Sequence, residues 1–155
     1  MVFKDTQHLW EWRISFPKDK SLVVTNGCFD ILHLGHVKYL NYARSLGDFL
    51  LVGINSDTSV KKIKGNERPI VSEEARAEML SNLKCVDGVY IFRSQEATNF
   101  LHIVRPDVYV KAGDYTPDSL NKNELIALNK CGAKIQIAPF IEGFSTTSII
   151  NKIKK

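Results

Sequence analysis

Cysteine is scarce and scattered: Cys28, Cys85 and Cys131 are the three in 155 residues, and no two form Cys-x-x-Cys. An odd, dispersed set excludes a disulfide framework and fits reduced thiols in a cytoplasmic location. No apolar run reaches the ~18 residues of a membrane span, and Met1-Val2-Phe3-Lys4-Asp5 lacks the charged-then-apolar layout of a signal peptide. No membrane partner is therefore expected. Charge of one sign is also in short supply. Against 17 acidic residues stand 21 Lys and Arg, a formal net charge of +4. The basic residues are dispersed except for Lys61-Lys62-Ile63-Lys64 and the terminal Lys152-Ile153-Lys154-Lys155. Without an aromatic-studded basic surface or a DNA-binding motif, nucleic acid is not an expected partner; a small polyanion held locally suits this charge better. No repeat, low-complexity stretch or Pro/Gly-rich linker divides the chain, so residues 1–155 are read as one domain with a core of ordinary size.

What is present alternates between strand and helix. Leu22 to Thr25, Phe49 to Ile54, Val89 to Phe92, Asp107 to Lys111 and Lys134 to Ala138 read as strands. Between them lie helical stretches: Val37 to Leu46, stopped by Gly47; Ser72 to Leu83, with Ser72 as cap; Ser94 to about Val104; Ser119 or Asn121 to Gly132; and a last helix from Ser145. The first dozen residues, with Leu9, Trp10 and Ile14 at helical spacing, read as an N-terminal helix within an extension over 1–20. Strands this apolar, joined by helices, predict an α/β fold: a doubly wound, Rossmann-like parallel sheet of about five strands with helices on both faces. Ligands of such sheets bind beyond the strand C-termini, at the switch point. The loops after the strands carry the informative residues and are expected to meet in one cleft.

The first of these loops is the most informative. After Val23-Val24-Thr25 come Asn26-Gly27-Cys28-Phe29-Asp30, then His33-Leu34-Gly35-His36 at the start of a helical pattern. Residues three apart on a helix share a face, so His33 and His36 are expected to offer two ring nitrogens to one point. Gly35 has no Cβ to hinder a ligand, and the helix start favours an anion. Together they describe a place for phosphate. A capping or buried histidine is the plainer alternative. Zinc needs three or four ligands, and His8 and His102 lie in no ligand cluster, so no protein metal site is expected.

Three further segments point to the same cleft. Asn55-Ser56-Asp57 and the basic residues Lys61, Lys62, Lys64 and Arg68 follow the second strand. This reads as a basic loop suited to a triphosphate tail, with a merely solvated loop as the alternative. Lys111-Ala112-Gly113-Asp114-Tyr115 ends the fourth strand: the lysine can hold an anionic group, Asp114 can accept from hydroxyls or hold Mg²⁺, and Tyr115 can stack. A plain turn explains Gly113 and Asp114 equally. Ser145-Thr146-Thr147 opens the last helix, where hydroxyl residues serve as caps or bind phosphate.

This ordered set resembles the cytidylyltransferase-like nucleotidyltransferases, marked by His-x-Gly-His near the N-terminus and a Ser-Thr-Thr helix start near the C-terminus. Within them it is most similar to the adenylyltransferase domains of ADP-heptose synthases. The matching segments are Thr25 to His36, Leu46-Gly47-Asp48, Asn55-Ser56-Asp57, Lys64-Gly65 with Arg68-Pro69, Val110 to Tyr115, and Ser145-Thr146-Thr147 with Ile149-Ile150. Alcohol-phosphate cytidylyltransferases carry Thr where Cys28 stands and an Arg before the Ser-Thr-Thr. Phe140-Ile141-Glu142-Gly143-Phe144 has no such Arg; both departures, like Lys111, resemble the heptose branch.

The resemblance implies transfer of AMP from ATP to a heptose 1-phosphate, with Mg²⁺ accompanying ATP, for lipopolysaccharide core synthesis. It implies His33, His36, Lys64 and Arg76 as catalytic residues. Nucleotide contacts fall to Asn26, Gly27, Cys28, Phe29, Gly35, His36, Lys61, Lys62, Ser145, Thr146 and Thr147. Substrate contacts fall to Asp30, Asn55, Lys111, Gly113, Asp114 and Tyr115, with Asp30 expected to order its loop rather than to react directly. A homodimer and a separate kinase supplying the sugar 1-phosphate are expected. The rivals are an alcohol-phosphate cytidylyltransferase, an FAD-synthetase-like adenylyltransferase and a non-catalytic nucleotide sensor, which would not need the intact histidine pair.

Overall fold

The computed structural model describes residues 1–113, 116, 119–139 and 141–155. Along the chain run β1 (Val2–Phe3), α1 (Thr6–Ile14), β2 (Leu22–Gly27), α2 (Leu34–Arg44), β3 (Phe49–Asn55), α3 (Asp57–Lys64) and α4 (Glu73–Ser81). They are followed by β4 (Gly88–Phe92), α5 (Thr98–Val104), β5 (Val108–Lys111), α6 (Lys122–Cys131), β6 (Lys134–Ile137) and α7 (Thr146–Ile153). The six strands found among the described residues form one sheet in the order β1-β4-β3-β2-β5-β6, with every pairing parallel.

Alternation along the strands builds two cores. In β2, Val23 points to one face, where Leu40 and Ala43 of α2 and Ala77 and Leu80 of α4 cover Leu50, Val52 and Ile54. Leu22 and Val24 point to the other, where Leu9 of α1, Phe100 and Leu101 of α5 and Leu128 of α6 cover Leu51 and Tyr109. Both faces of the central strands are thus dry, and hence apolar side chains follow one another without a polar face. Gly53 admits the closest of these approaches: a Cβ there would lie 2.6 Å from the Phe100 ring. From β2 the chain winds to β3 and β4 on one side, then returns to β5 and β6 on the other. The switch point therefore falls between β2 and β5, with the ligand crevice beyond their C-terminal ends.

The structure departs from the sequence reading in four places. A sixth strand, β1, pairs with β4 through Val2 and Phe3; two residues are too few to show a period, and only the partner edge makes them a strand. The basic segment after β3 is not a loop but α3, capped by Ser56, whose side chain accepts the Ser59 amide. Helix α2 begins three residues earlier than the apolar spacing indicated, because His33 serves as its cap. Helix α5 begins at Thr98 rather than Ser94 and has no side-chain cap from its own N-cap residue, Ala97. No helix among the described residues is long and apolar enough to cross a membrane.

Candidate active site

The loops that follow β2, β3, β5 and β6 meet in a cleft of about 780 Å³. Its walls include Asn26 to Asp30, His33, Gly35 and His36 on one side, Lys64 and Arg68 on a second, and Lys111 to Gly113 and Ser145 to Thr147 on the others.

His33 stands in extended conformation (φ −143°, ψ 170°), and its Nδ1 accepts the His36 amide at 3.4 Å, capping α2. The two rings stack with centroids 3.8 Å apart and planes 21° apart. Phe29 packs against His36 at 5.1 Å between centroids, and to do so adopts φ 48°, a left-handed conformation costly for a bulky side chain. Such strain persists where surrounding structure imposes it, and here it shapes the turn that carries the histidines. Gly35 has a packing role as well. A Cβ there would lie 3.0 Å from the His33 ring and 3.0 Å from Cβ of Phe144. The missing side chain makes room for His33 and Phe144, while Gly35 itself borders the cleft.

Burial, reinforced by His33 alongside, pushes the His36 pKa down to about 4. The Ile31 backbone opposes this weakly, and His36 Nδ1 is buried without a hydrogen-bond partner among the described residues. Burial lowers His33 as well. Both rings are therefore neutral at pH 7 rather than cationic. Because His33 Nδ1 accepts, its proton sits on Nε2, which makes that nitrogen a donor. Burial pushes the Cys28 thiol up, so it borders the cleft as a neutral thiol and not as a nucleophile.

Three residues assigned to ligands by sequence turn out to hold protein. The Asp30 carboxylate, 1% exposed, accepts the amides of Ile70 (2.8 Å) and Val71 (2.9 Å) and pairs with Arg68 Nε. With both oxygens engaged it orders the loop and is not a substrate contact. The Asn55 side chain donates to Ser59 Oγ at 2.9 Å and to the Ser94 and Gln95 carbonyls. It borders the cleft but its amide fastens β3 to the loop after β4. Arg76 is fully buried. Its guanidinium donates to the carbonyls of Val71 (3.0 Å), Asn55 (2.9 Å) and Cys28, and to Asp57 Oδ1 at 2.7 Å. It does not line the cleft, so its expected phosphate contact is replaced by a strut beneath the histidine turn.

The basic residues also separate. Lys64, at the end of α3, lines the cleft with Arg68, whereas Lys61 and Lys62 are exposed on α3 outside its walls. They complement the C-terminal dipole of their helix, and the structure does not place them with Lys64 at the cleft. At the start of α7, Ser145 is the cap, accepting the Ser148 amide at 3.0 Å; Thr146 and Thr147 line the cleft beside it.

Lys111 is 7% exposed at the end of β5. Its Nζ donates to Asn26 Oδ1 at 3.0 Å and lies 5.5 Å over the Tyr109 ring. The sequence reading gave Asn26 and Lys111 to different ligands; the sheet joins them across the switch point. Gly113 lines the cleft, and Asp114 and Tyr115 lie outside the described residues. Three cleft residues had no local signal. Gln95 falls in the stretch read as a helix from Ser94, Asn121 at a candidate helix start and Glu124 within the helix after it, yet all three border the cleft.

The cytidylyltransferase-like family model matches residues 24–152. The bifunctional protein HldE of Geotalea uraniireducens is 47% identical over 137 residues, covering 88% of this chain and 28% of that protein. That of Koribacter versatilis is 47% identical over 141 residues, 91% of this chain and 28% of its own length. The chain thus spans little over a quarter of the curated relatives it matches. Among solved structures, the lipopolysaccharide core biosynthesis protein from Thermoplasma volcanium GSS1 superposes with a TM-score of 0.64 at 31% identity, covering 81% of this chain and 99% of that one. Pantoate-beta-alanine ligase from Francisella tularensis shares the fold, with a TM-score of 0.62 at 15% identity over 99% of this chain and 77% of its own.

Proposed function

The chain belongs to the cytidylyltransferase-like family, and from that premise we propose that it transfers AMP from ATP to a heptose 1-phosphate, giving ADP-heptose and pyrophosphate for lipopolysaccharide core synthesis. The relatives named HldE and the lipopolysaccharide core biosynthesis protein support the pathway. The observation that carries the chemistry is the stacked His33–His36 pair at the N-terminus of α2, facing the same cleft as Lys64 and the start of α7.

A sugar phosphate oxygen attacks the α-phosphorus in line, its new P–O bond forming as the bond to the bridging oxygen breaks and pyrophosphate leaves. No covalent enzyme intermediate is needed, so positioning and charge stabilisation are the protein's work. Neutral His33 donates from Nε2 to the α-phosphate as charge develops, and His36 buttresses it by stacking. Lys64 meets the β- and γ-phosphates. Thr146 and Thr147, with the free amides of the first turn of α7, receive the leaving pyrophosphate. Lys111 draws in the sugar phosphate.

Among the described residues no three His, Cys, Asp or Glu side chains are grouped to hold a metal ion, and Asp30 is already engaged. Mg²⁺ would enter with ATP, on its phosphates, and Asp114, the carboxylate that the sequence offers to it, lies outside the described residues. A kinase acts in the preceding step to make the sugar 1-phosphate.

Product analysis after incubation with ATP or CTP, Mg²⁺, a panel of sugar 1-phosphates and glycerol 3-phosphate tests the assignment. ADP-heptose and pyrophosphate are expected. A CDP-alcohol would show the cytidylyltransferase rival instead, and nucleotide binding without turnover would show a sensor.

A further inference from the structure

Glu124 of α6 is 6% exposed yet borders the cleft. A buried carboxylate is costly unless both oxygens are satisfied, and here they face different elements. Oε1 accepts the Ala97 amide at 2.8 Å, supplying from another helix the cap that α5 lacks. Oε2 lies 3.2 Å from the Tyr109 hydroxyl. That hydroxyl is also 2.5 Å from Asn26 Oδ1, which accepts from Lys111 Nζ as well. One phenolic proton therefore stands between two acceptors. Two donors converge on the Asn26 oxygen and set which way its amide points. The result is a continuous polar chain from the start of α5, through α6 and β5, to the end of β2, and it ends on the ammonium at the switch point.

We infer that Glu124 is a positioning residue for the acceptor substrate: through Tyr109 and Asn26 it sets the place of the Lys111 ammonium. This rests on the assignment of Lys111 to the sugar phosphate. A contact needed for stability alone is served as well by a well-packed apolar side chain. A polar chain running to a cation at the cleft instead fixes where a phosphate oxygen is met.

Tyr109→Phe isolates the link, since it keeps the ring under Lys111 and leaves the cap on α5 in place. In steady-state kinetics its KM for heptose 1-phosphate is expected to rise about five- to tenfold, the scale of one hydrogen bond serving a charged group. KM for ATP should stay within about twofold. Glu124→Leu should show the same split together with a lower Tm. Glu124→Gln, whose amide offers an acceptor to Ala97 and a donor to the phenol, should recover most of the acceptor affinity lost in Glu124→Leu. A purely structural role lowers Tm without separating the two KM values, and that result, or a rise in KM for ATP alone, overturns the inference. The wild-type protein separates the two levels. If it turns over no sugar 1-phosphate, the functional assignment fails and takes the inference with it. If it does and Tyr109→Phe keeps its KM, the inference alone fails.

Discussion

His33 caps the helix that carries His36. Its Nδ1 receives the His36 amide at 3.4 Å while the rings stack 3.8 Å apart. One imidazole therefore does two jobs: it completes α2 and, through Nε2, offers a donor to the cleft. The capping reading of the motif is realised, and the same ring borders the cleft in which we propose that it meets phosphate.

His33→Ala should lower kcat at least about a hundredfold, the scale for losing one preorganised donor at developing charge, and His36→Ala should lower kcat as well, because it removes the ring stacked against that donor. His33→Ala should also lower Tm, since a lost cap costs about 1 kcal/mol, whereas His36→Ala leaves that cap bond to the backbone amide intact. Single-turnover rates and thermal melts on both variants check this. Near-normal turnover in either would make the pair structural.

Stability should depend on pH through His36. The unfolded chain takes up a proton near 6.5 that the folded chain refuses until about 4. The unfolded state thus binds more protons between those values, and stability, full above pH 6.5, falls as pH drops through the window. The loss from this group is up to about 3 kcal/mol. Urea unfolding at pH 4.5 and 7.5 should show the slope in wild type and a smaller one in His36→Asn.

Lys64→Ala should weaken ATP binding more than heptose 1-phosphate binding, because Lys64 lines the cleft. The double variant Lys61→Ala/Lys62→Ala should change neither by more than about twofold, as exposed charges off the site contribute little. Calorimetric titration of each ligand distinguishes them; equal losses in both variants would mean that α3 acts only through its general field.

Arg76→Met should destabilise the fold by about 3 kcal/mol or more, because it leaves Asp57 and three backbone carbonyls without their donor. Arg76→Lys should rescue little, since one ammonium cannot span the same four acceptors. The measurement is equilibrium unfolding. A variant of native stability with a raised KM for ATP would return Arg76 to the phosphates.

Lys111→Met should raise KM for the sugar 1-phosphate about tenfold, one lost charge-assisted contact, with KM for ATP nearly unchanged. Because Lys111 donates to Asn26, a residue expected to meet the nucleotide, the opposite outcome has a clear meaning. If ATP affinity falls instead, the ammonium belongs to the nucleotide.

Sequence by itself determined the parallel α/β sheet, the position of the cleft and the histidine turn. Runs such as Leu22 to Thr25 and Phe49 to Ile54, and caps such as Ser72 and Ser145, act within a few residues, so their pattern reports them directly. Ser56 as cap and Asp57 in the first turn open α3, although the lysines that follow read as a loop. What the tertiary structure decided was which polar side chains face a ligand and which face protein. Asp30 meets amides 40 and 41 residues away, Arg76 a carbonyl 48 away, and Glu124 an amide 27 away. A carboxylate or guanidinium in a loop or on a helix reads the same in either role. Only the partners that folding brings to it, and the water it thereby loses, settle whether its hydrogen-bonding capacity is spent inside the protein or left for the cleft.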